Sequence, residues 1–259
     1  MNTSQYTKAI ISNKHVEVTH QSYLPPTGRR TSLGGRKPSI NQSSENHEVN
    51  IKQSINRARK QIRRLLECNF TDRYAFVTLT FKPTKEIDVA DIKNCNKILA
   101  DFKKRLAYYL KMNNLPTFKY LGVTEFHDKN RQGAIHYHLV CNLTEVSLEV
   151  LQELWQYGWI GKATTTSNAS ENEKIAFYLN KGITDPRLNG HKRYFHSHGL
   201  KKPITLEIKN PAEFYDHLDQ GKPTLTHGET YHSPYTGETK YEQYYLESAK
   251  ELIDYVQEL

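Results

Sequence analysis

The run Gly133-Ala-Ile-His136-Tyr137-His138-Leu139-Val140 alternates with a period of two, the signature of a strand with two chemically different faces. A second β-rich run, Phe118 to His127, precedes it, and the intervening Asp128-Lys-Asn-Arg-Gln-Gly133 is turn-like. An antiparallel hairpin is therefore predicted. Alternation puts His136 and His138 on one face, roughly 6.5–7 Å apart along the strand. With the turn centred between Asn130 and Arg131, Glu125 stands opposite His136 and shares its face, and a shift of two residues would keep it there. His127 lies on that face as well. Two imidazoles so placed can share a metal ion, with the third ligand, Glu125 or His127, from the neighbouring strand. Such a set leaves coordination positions open, as a Lewis-acid site requires. Imidazole suits zinc and carboxylate suits magnesium or manganese, so spacing alone does not choose the ion.

The rest of the chain supplies the frame. Val49 to Leu66 carries Ile51, Ile55, Ile62, Leu65 and Leu66 at helical spacing, with Arg57, Arg59, Lys60, Arg63 and Arg64 between them. This is a basic helix suited to DNA, or else a charged solvated face; the first reading is adopted. Tyr74 to Phe81 reads as a buried strand, and Asp88 is expected to cap a long helix through Leu110. Further helices are predicted over Ser147–Tyr157, stopped by Gly158, from a capping box at Ser170–Glu173 to Gly182, and over residues 244–259. Strands separated by helices, with an antiparallel hairpin, imply an α+β fold: a central antiparallel sheet with flanking helices.

Charge divides the chain. Residues 1–64 hold 12 basic and 3 acidic side chains, residues 65–210 hold 21 and 15, and residues 211–259 hold 3 and 10. A basic body suits a polyanion such as nucleic acid. The expected organisation is a flexible basic arm over 1–45, a nicking-joining domain with an N-terminal basic helix over 46–210, and an acidic tail with a terminal helix over 211–259. No run of about 18 apolar residues is present, which excludes a transmembrane helix. The N-terminus lacks the apolar stretch of a secretory signal, and the three cysteines are too few and too scattered for a disulfide framework. A cytoplasmic location in a bacterial host is the expectation. No phosphate-binding Gly-x-x-x-x-Gly-Lys-Ser/Thr loop occurs, so no ATPase is expected here.

A candidate nucleophile follows. In Ala176-Phe-Tyr178-Leu-Asn-Lys181, Tyr178 and Lys181 are three apart and share a helical face with Lys174. A phenol titrates near about 10, so a neighbouring cation is needed to raise its phenolate fraction at neutral pH.

In chain order, Phe76-Val-Thr-Leu-Thr-Phe81, Glu125, His136-Tyr-His138 and Tyr178-Leu-Asn-Lys181 together resemble the HUH endonuclease superfamily. The likeness is to single-tyrosine rolling-circle replication initiators of plasmid and phage type, and it covers about residues 70–205. Tyr194-Phe-His-Ser-His-Gly-Leu-Lys-Lys-Pro203 also looks like the basic stretch that follows the tyrosine in phage-type members. The resemblance implies a fold similar to the RNA-recognition motif. It implies that Glu125, His136 and His138 bind Mg2+ or Mn2+, and that Tyr178, assisted by Lys181, attacks single-stranded origin DNA, free or in a hairpin. A 5′-phosphotyrosine link and a free 3′-OH would result. Arg57, Lys60, Arg64, Lys174, Arg193, Lys201 and Lys202 are the expected DNA contacts, Thr78 and Thr80 are structural or DNA-adjacent, and a host helicase and replication machinery are implied partners. No membrane partner is expected. Gly182 stands where relatives often carry a second tyrosine, which favours a one-tyrosine cycle. Tyr137 points away from the metal face, and His196-Ser-His198 is read as a DNA-contacting or solvated loop. The alternatives are a mobilisation relaxase or transposase of the same superfamily, and a non-catalytic nucleic-acid-binding module.

Overall fold

The computed structural model describes residues 6–23, 44–85, 87–128, 133–233 and 236–258, without the side chains of 44–47, 169–171 and 173. In chain order the elements are β1 (Tyr6–Ser12), β2 (His15–Gln21), α1 (Ser44–Asn69), β3 (Arg73–Thr80), α2 (Ile92–Met112), β4 (Tyr120–His127), β5 (Ala134–Cys141), α3 (Leu148–Trp155), β6 (Ile160–Thr166) and α4 (Ala169–Gly182). A 3-10 turn (Pro186–Leu188), β7 (Phe195–His196), β8 (Ile204–Glu207), α5 (Pro211–Gln220), β9 (Pro223–Ser233), β10 (Gly237–Leu246) and α6 (Lys250–Glu258) follow. They form two units, one of Ser43–Lys201 and one of Met1–Gln42 with Lys202–Leu259. Each holds a five-stranded antiparallel sheet, so the α+β expectation stands.

In the Ser43–Lys201 unit the strand order is β6-β3-β5-β4-β7. One sheet face packs Leu79, Phe81, Ile135, Tyr137 and Leu139 against Leu99, Phe102 and Leu106 of α2 and Trp155 of α3. The other packs Tyr74, Leu121, Val123 and Val140 against Ile62, Leu65 and Leu66 of α1 and Leu179 and Ile183 of α4. The histidines of β5 belong to this second face. Helix α2 begins at Ile92, capped by Asp91, whose side chain accepts from Lys93 N at 2.9 Å. Asp88 is thus not the cap. Its carboxylate accepts from Ala90 N, and the next carbonyl, of Val89, accepts from Ile135 N, which holds 88–91 against β5 before the helix starts. The Ser170–Glu173 capping box has side chains outside the described residues.

The start of α4 is fixed by a buried polar cluster. Asn172 accepts from Tyr74 OH of β3 (3.2 Å) and from Ser167 Oγ (3.1 Å), and donates to Glu67 of α1 (3.2 Å). Its end is fixed by close approach: a Cβ at Gly182 would lie 2.8 Å from the Thr124 carbonyl oxygen and 3.6 Å from Glu125 Cβ. A tyrosine there would meet β4 backbone.

The second unit corrects the expected arm and tail. Residues 6–21 and 202–258 combine in one sheet ordered β8-β1-β2-β10-β9. Ala9, Ile11, Val16 and Val18 alternate inward against Phe214 and Leu218 of α5 and Leu252 of α6. The expected helix over 244–259 is β10 to Leu246 followed by α6. The boundary expected at 210 falls at Lys201, because β8 pairs with β1. The basic pairs Arg29-Arg30 and Arg36-Lys37 lie outside the described residues.

On the covered face of that sheet, His20 Nδ1 bonds Thr7 Oγ1 and His20 Nε2 bonds Tyr215 OH, both at 2.9 Å. Glu242 lies 3.7 Å from His20 and 2.8 Å from Lys240 Nζ. Burial lowers the His20 pKa, more than the Glu242 carboxylate raises it, and Lys240 lowers it further.

Two outcomes are expected. Gly182→Ala forces α4 off β4 and lowers stability by about 1–3 kcal/mol, read by denaturant unfolding; an unchanged midpoint would contradict the close packing. His20 binds a proton less readily folded than unfolded, so its contribution to stability is present above about pH 6.5 and is lost as pH falls below that value. Calorimetry should show the melting temperature falling between about pH 7.5 and 5.5, with a smaller fall in His20→Gln. Equal pH slopes in the two proteins would refute that assignment.

Candidate active site

Glu125 faces His136 across the β4–β5 pair, Val123 faces His138, and on the other side of β5 Thr78 of β3 faces His138. Opposite residues share a face, so these registers dictate what meets what. His138 Nε2 lies 2.6 Å from Glu125 Oε2, and His138 Nδ1 lies 3.1 Å from Thr78 Oγ1. A side-chain chain therefore crosses three strands. Lys181 Nζ of α4 extends it, 3.6 Å from Glu125 Oε1.

Tyr178 stands over this chain. Its ring meets those of His138 and Phe76 edge-on, at 5.1 Å and 5.4 Å between centroids. Phe76 in turn stacks on His138 at 5.8 Å. The tyrosine is 43% exposed, so its ring is held while solvent or a ligand can still reach the residue. Burial raises its pKa, and the Glu125 charge raises it further. The Glu125 carboxyl is held below its ordinary range, chiefly by the His138 hydrogen bond; burial opposes this, and Lys181 adds to it. The site thus pairs a stabilised carboxylate with a phenol that resists ionisation, and a cation is the ingredient that would reverse the latter.

His136 is buried, its ring centroid 6.4 Å from that of His138 and 5.1 Å from that of His127, with which it stacks. His127 Nδ1 is buried and meets no hydrogen-bond partner among the described residues. Among the described residues no three His, Cys, Asp or Glu side chains are arranged to hold an ion. Glu125 and His138 bond each other directly instead. The donor set still fits a divalent ion by chemistry: a carboxylate and imidazoles gather on one face, and the remote nitrogen of His138 is anchored by a hydroxyl, as ligating histidines usually are. Thr78 therefore has a role that β3 alternation alone could not assign, since it depends on the β3–β5 register. Thr80 is structural: its hydroxyl accepts from Trp159 N and donates to Trp159 O.

Tyr137 is fully buried on the opposite face, donating to Asn96 at 2.8 Å, with burial raising its pKa; it is removed from the histidines, as alternation required. Of the expected DNA contacts, Arg57 is exposed on α1, Lys60 and Arg64 are half-buried there, and Lys174 is exposed on α4. Arg193 is corrected: it is buried, with its guanidinium donating to Ile183 O at 2.6 Å and to Asn189 Oδ1 at 2.8 Å, so it braces the loop after α4. Lys201 is clamped through its backbone to Asn69 at the end of α1, its side chain exposed. Lys202, exposed, begins the other unit. His196 and His198 are exposed and stand apart from the Glu125–His138 pair as part of the β7 edge segment.

Among the described residues no helix is long and apolar enough to cross a membrane. A search of curated proteins returns no match to this chain. Residues 74–185 match the family described as replication-associated protein of the ORF2 type, a span that runs from β3 through Tyr178 to just beyond α4. Over the part of the chain that builds this site, the sequence is therefore similar to replication-associated proteins.

Proposed function

We propose that the protein initiates rolling-circle replication by nicking and rejoining single-stranded origin DNA, with Tyr178 as nucleophile. The observation that carries this is the packing of the Tyr178 ring on His138, whose Nε2 is bonded to Glu125 with Lys181 beside it. A nucleophile, a charged pair and a cation share one sheet face, within the span similar to replication-associated proteins. That similarity favours replication over mobilisation or transposition. A purely binding module leaves the buried carboxylate–histidine pair beneath a half-exposed tyrosine without a purpose.

In this reading Tyr178 Oη attacks the scissile phosphorus, the P–O3′ bond breaks, and the phenolic proton ends on the departing 3′ oxygen. The 5′-phosphate stays on the tyrosine, and the reverse attack by a 3′-OH restores the diester without a nucleotide cofactor. Phe76 and His138 hold the phenol ring, and Lys181, exposed and only loosely paired, supplies positive charge to the phosphate oxygens or the phenolate. Glu125, His136 and His138 are the residues that would hold Mg2+ or Mn2+, which when bound supplies Lewis acidity toward the phosphate. Thr78 orients His138 for that task.

With a single-stranded origin oligonucleotide and Mn2+, a slow-migrating covalent adduct is expected on a denaturing gel. Tyr178→Phe should reduce its rate by at least about 10³-fold. Thr78→Val should raise the Mn2+ concentration needed for half-maximal rate about tenfold, by loosening His138. An adduct undiminished in Tyr178→Phe would overturn the assignment and move the nucleophile elsewhere.

A further inference from the structure

Helix α1 and the segment after α4 enclose a second concavity, of about 550 Å³. Its lining includes Arg57 and Gln61 of α1 with Lys192, Tyr194, His196 and His198, and no Asp or Glu is among the lining residues. The volume lies in the range of small-ligand clefts, roughly 300–1,000 Å³. Tyr194 and His196 stack at 6.2 Å between centroids with planes 21° apart, which makes one wall a flat π surface. Tyr194 is half-buried against the core shared by α1 and α4, so that wall is supported from behind. Arg193 lies behind it, a buried cation fixed on Ile183 and Asn189. At the rim, Arg57 is exposed, its Nε and one terminal nitrogen turned to Gln53 O and Oε1 of its own helix. Lys192 is exposed beside it in the lining.

The segment is rigidly mounted. Leu121 pairs with His196 and Gly122 with Phe195. Ser197 N donates to Tyr120 O at 3.0 Å, and Ser197 Oγ accepts from Tyr120 N at 3.1 Å. Asn69 at the end of α1 exchanges two hydrogen bonds with the Lys201 backbone. A flat aromatic wall with cations at its rim and no carboxylate in its lining fits a nucleobase that carries a phosphate. We propose that this pocket holds one unstacked nucleotide of the single-stranded DNA, its base on the Tyr194–His196 wall and its phosphate on Arg57 and Lys192. The assignment rests on single-stranded DNA being the substrate, and it gives the protein a second point of grip outside the tyrosine site.

The test measures binding of a single-stranded origin oligonucleotide to the full chain in EDTA, where no strand is cut, and scans the oligonucleotide with single abasic positions. Base stacking predicts one position at which loss of the base weakens binding about tenfold, and His196→Ala should erase that penalty while weakening the intact oligonucleotide by a similar factor. Arg57→Gln should keep the base penalty but lower the slope of log affinity against log salt by about 0.7, the loss of one phosphate contact on a single strand. Tyr194→Phe preserves the ring and should bind within about twofold of the parent, which guards against misreading a fold defect. An abasic penalty that survives His196→Ala, or no abasic penalty at any position, would overturn the pocket. Because nothing is cleaved in EDTA, this result stands apart from the adduct assay: a missing adduct with the pocket effects present would defeat only the nicking reading.

Discussion

The 2.6 Å hydrogen bond between His138 Nε2 and Glu125 Oε2 is the contact on which the rest of the site depends. It joins two strands through side chains, and the Thr78 hydroxyl on the other ring nitrogen brings in a third. That chain exists only in one register. A slip of a single residue would turn His136 and His138 into the apolar face formed with α2 and α3, and would bring Tyr137 out of it. The core forbids the slip, because Tyr137 and Leu139 are fully buried among Phe81, Phe102 and Trp155. Apolar packing on one face thus fixes polar geometry on the other, without the polar groups needing to supply much net stability.

Tyr178 is placed by a different set of constraints. It lies on a helix that could roll or slide over the sheet, and two features oppose that. Asn172 ties the first turn of α4 to β3 and α1, and Gly182 lets the last turn come against the Thr124 carbonyl. Between them Leu179 and Ile183 are buried on the sheet while Tyr178 and Lys181 remain partly or largely open. The same glycine accounts for the single tyrosine: a bulkier residue at 182 would collide with β4.

How much was legible in the sequence follows from contact range. The β4–β5 hairpin was legible to the residue, because its turn is local and its alternation leaves one sensible pairing, Glu125 opposite His136. The tyrosine helix was legible from its capping pattern and its stop at Gly182. The second unit was not. Ala9, Ile11, Val16 and Val18 make a short alternation that gains meaning only beside Tyr244 and Leu246, more than 200 positions later in the chain, and polar composition masked it as an arm. Arg193 looked like one more surface cation in a basic stretch, since sequence cannot tell that its guanidinium bonds Ile183 O. The part played by Thr78 required knowing which strand lies beside β5.

The central claim is that the phenolic oxygen above the Glu125–His138 pair is the one that takes the DNA phosphate. Peptide mapping by tandem mass spectrometry, on protein trapped with origin oligonucleotide and trimmed with nuclease, addresses that claim directly. The account predicts a nucleotide-mass adduct on the peptide containing Tyr178 and fragment ions that assign it to that ring. An adduct on Tyr137, Tyr194 or any other side chain would contradict it.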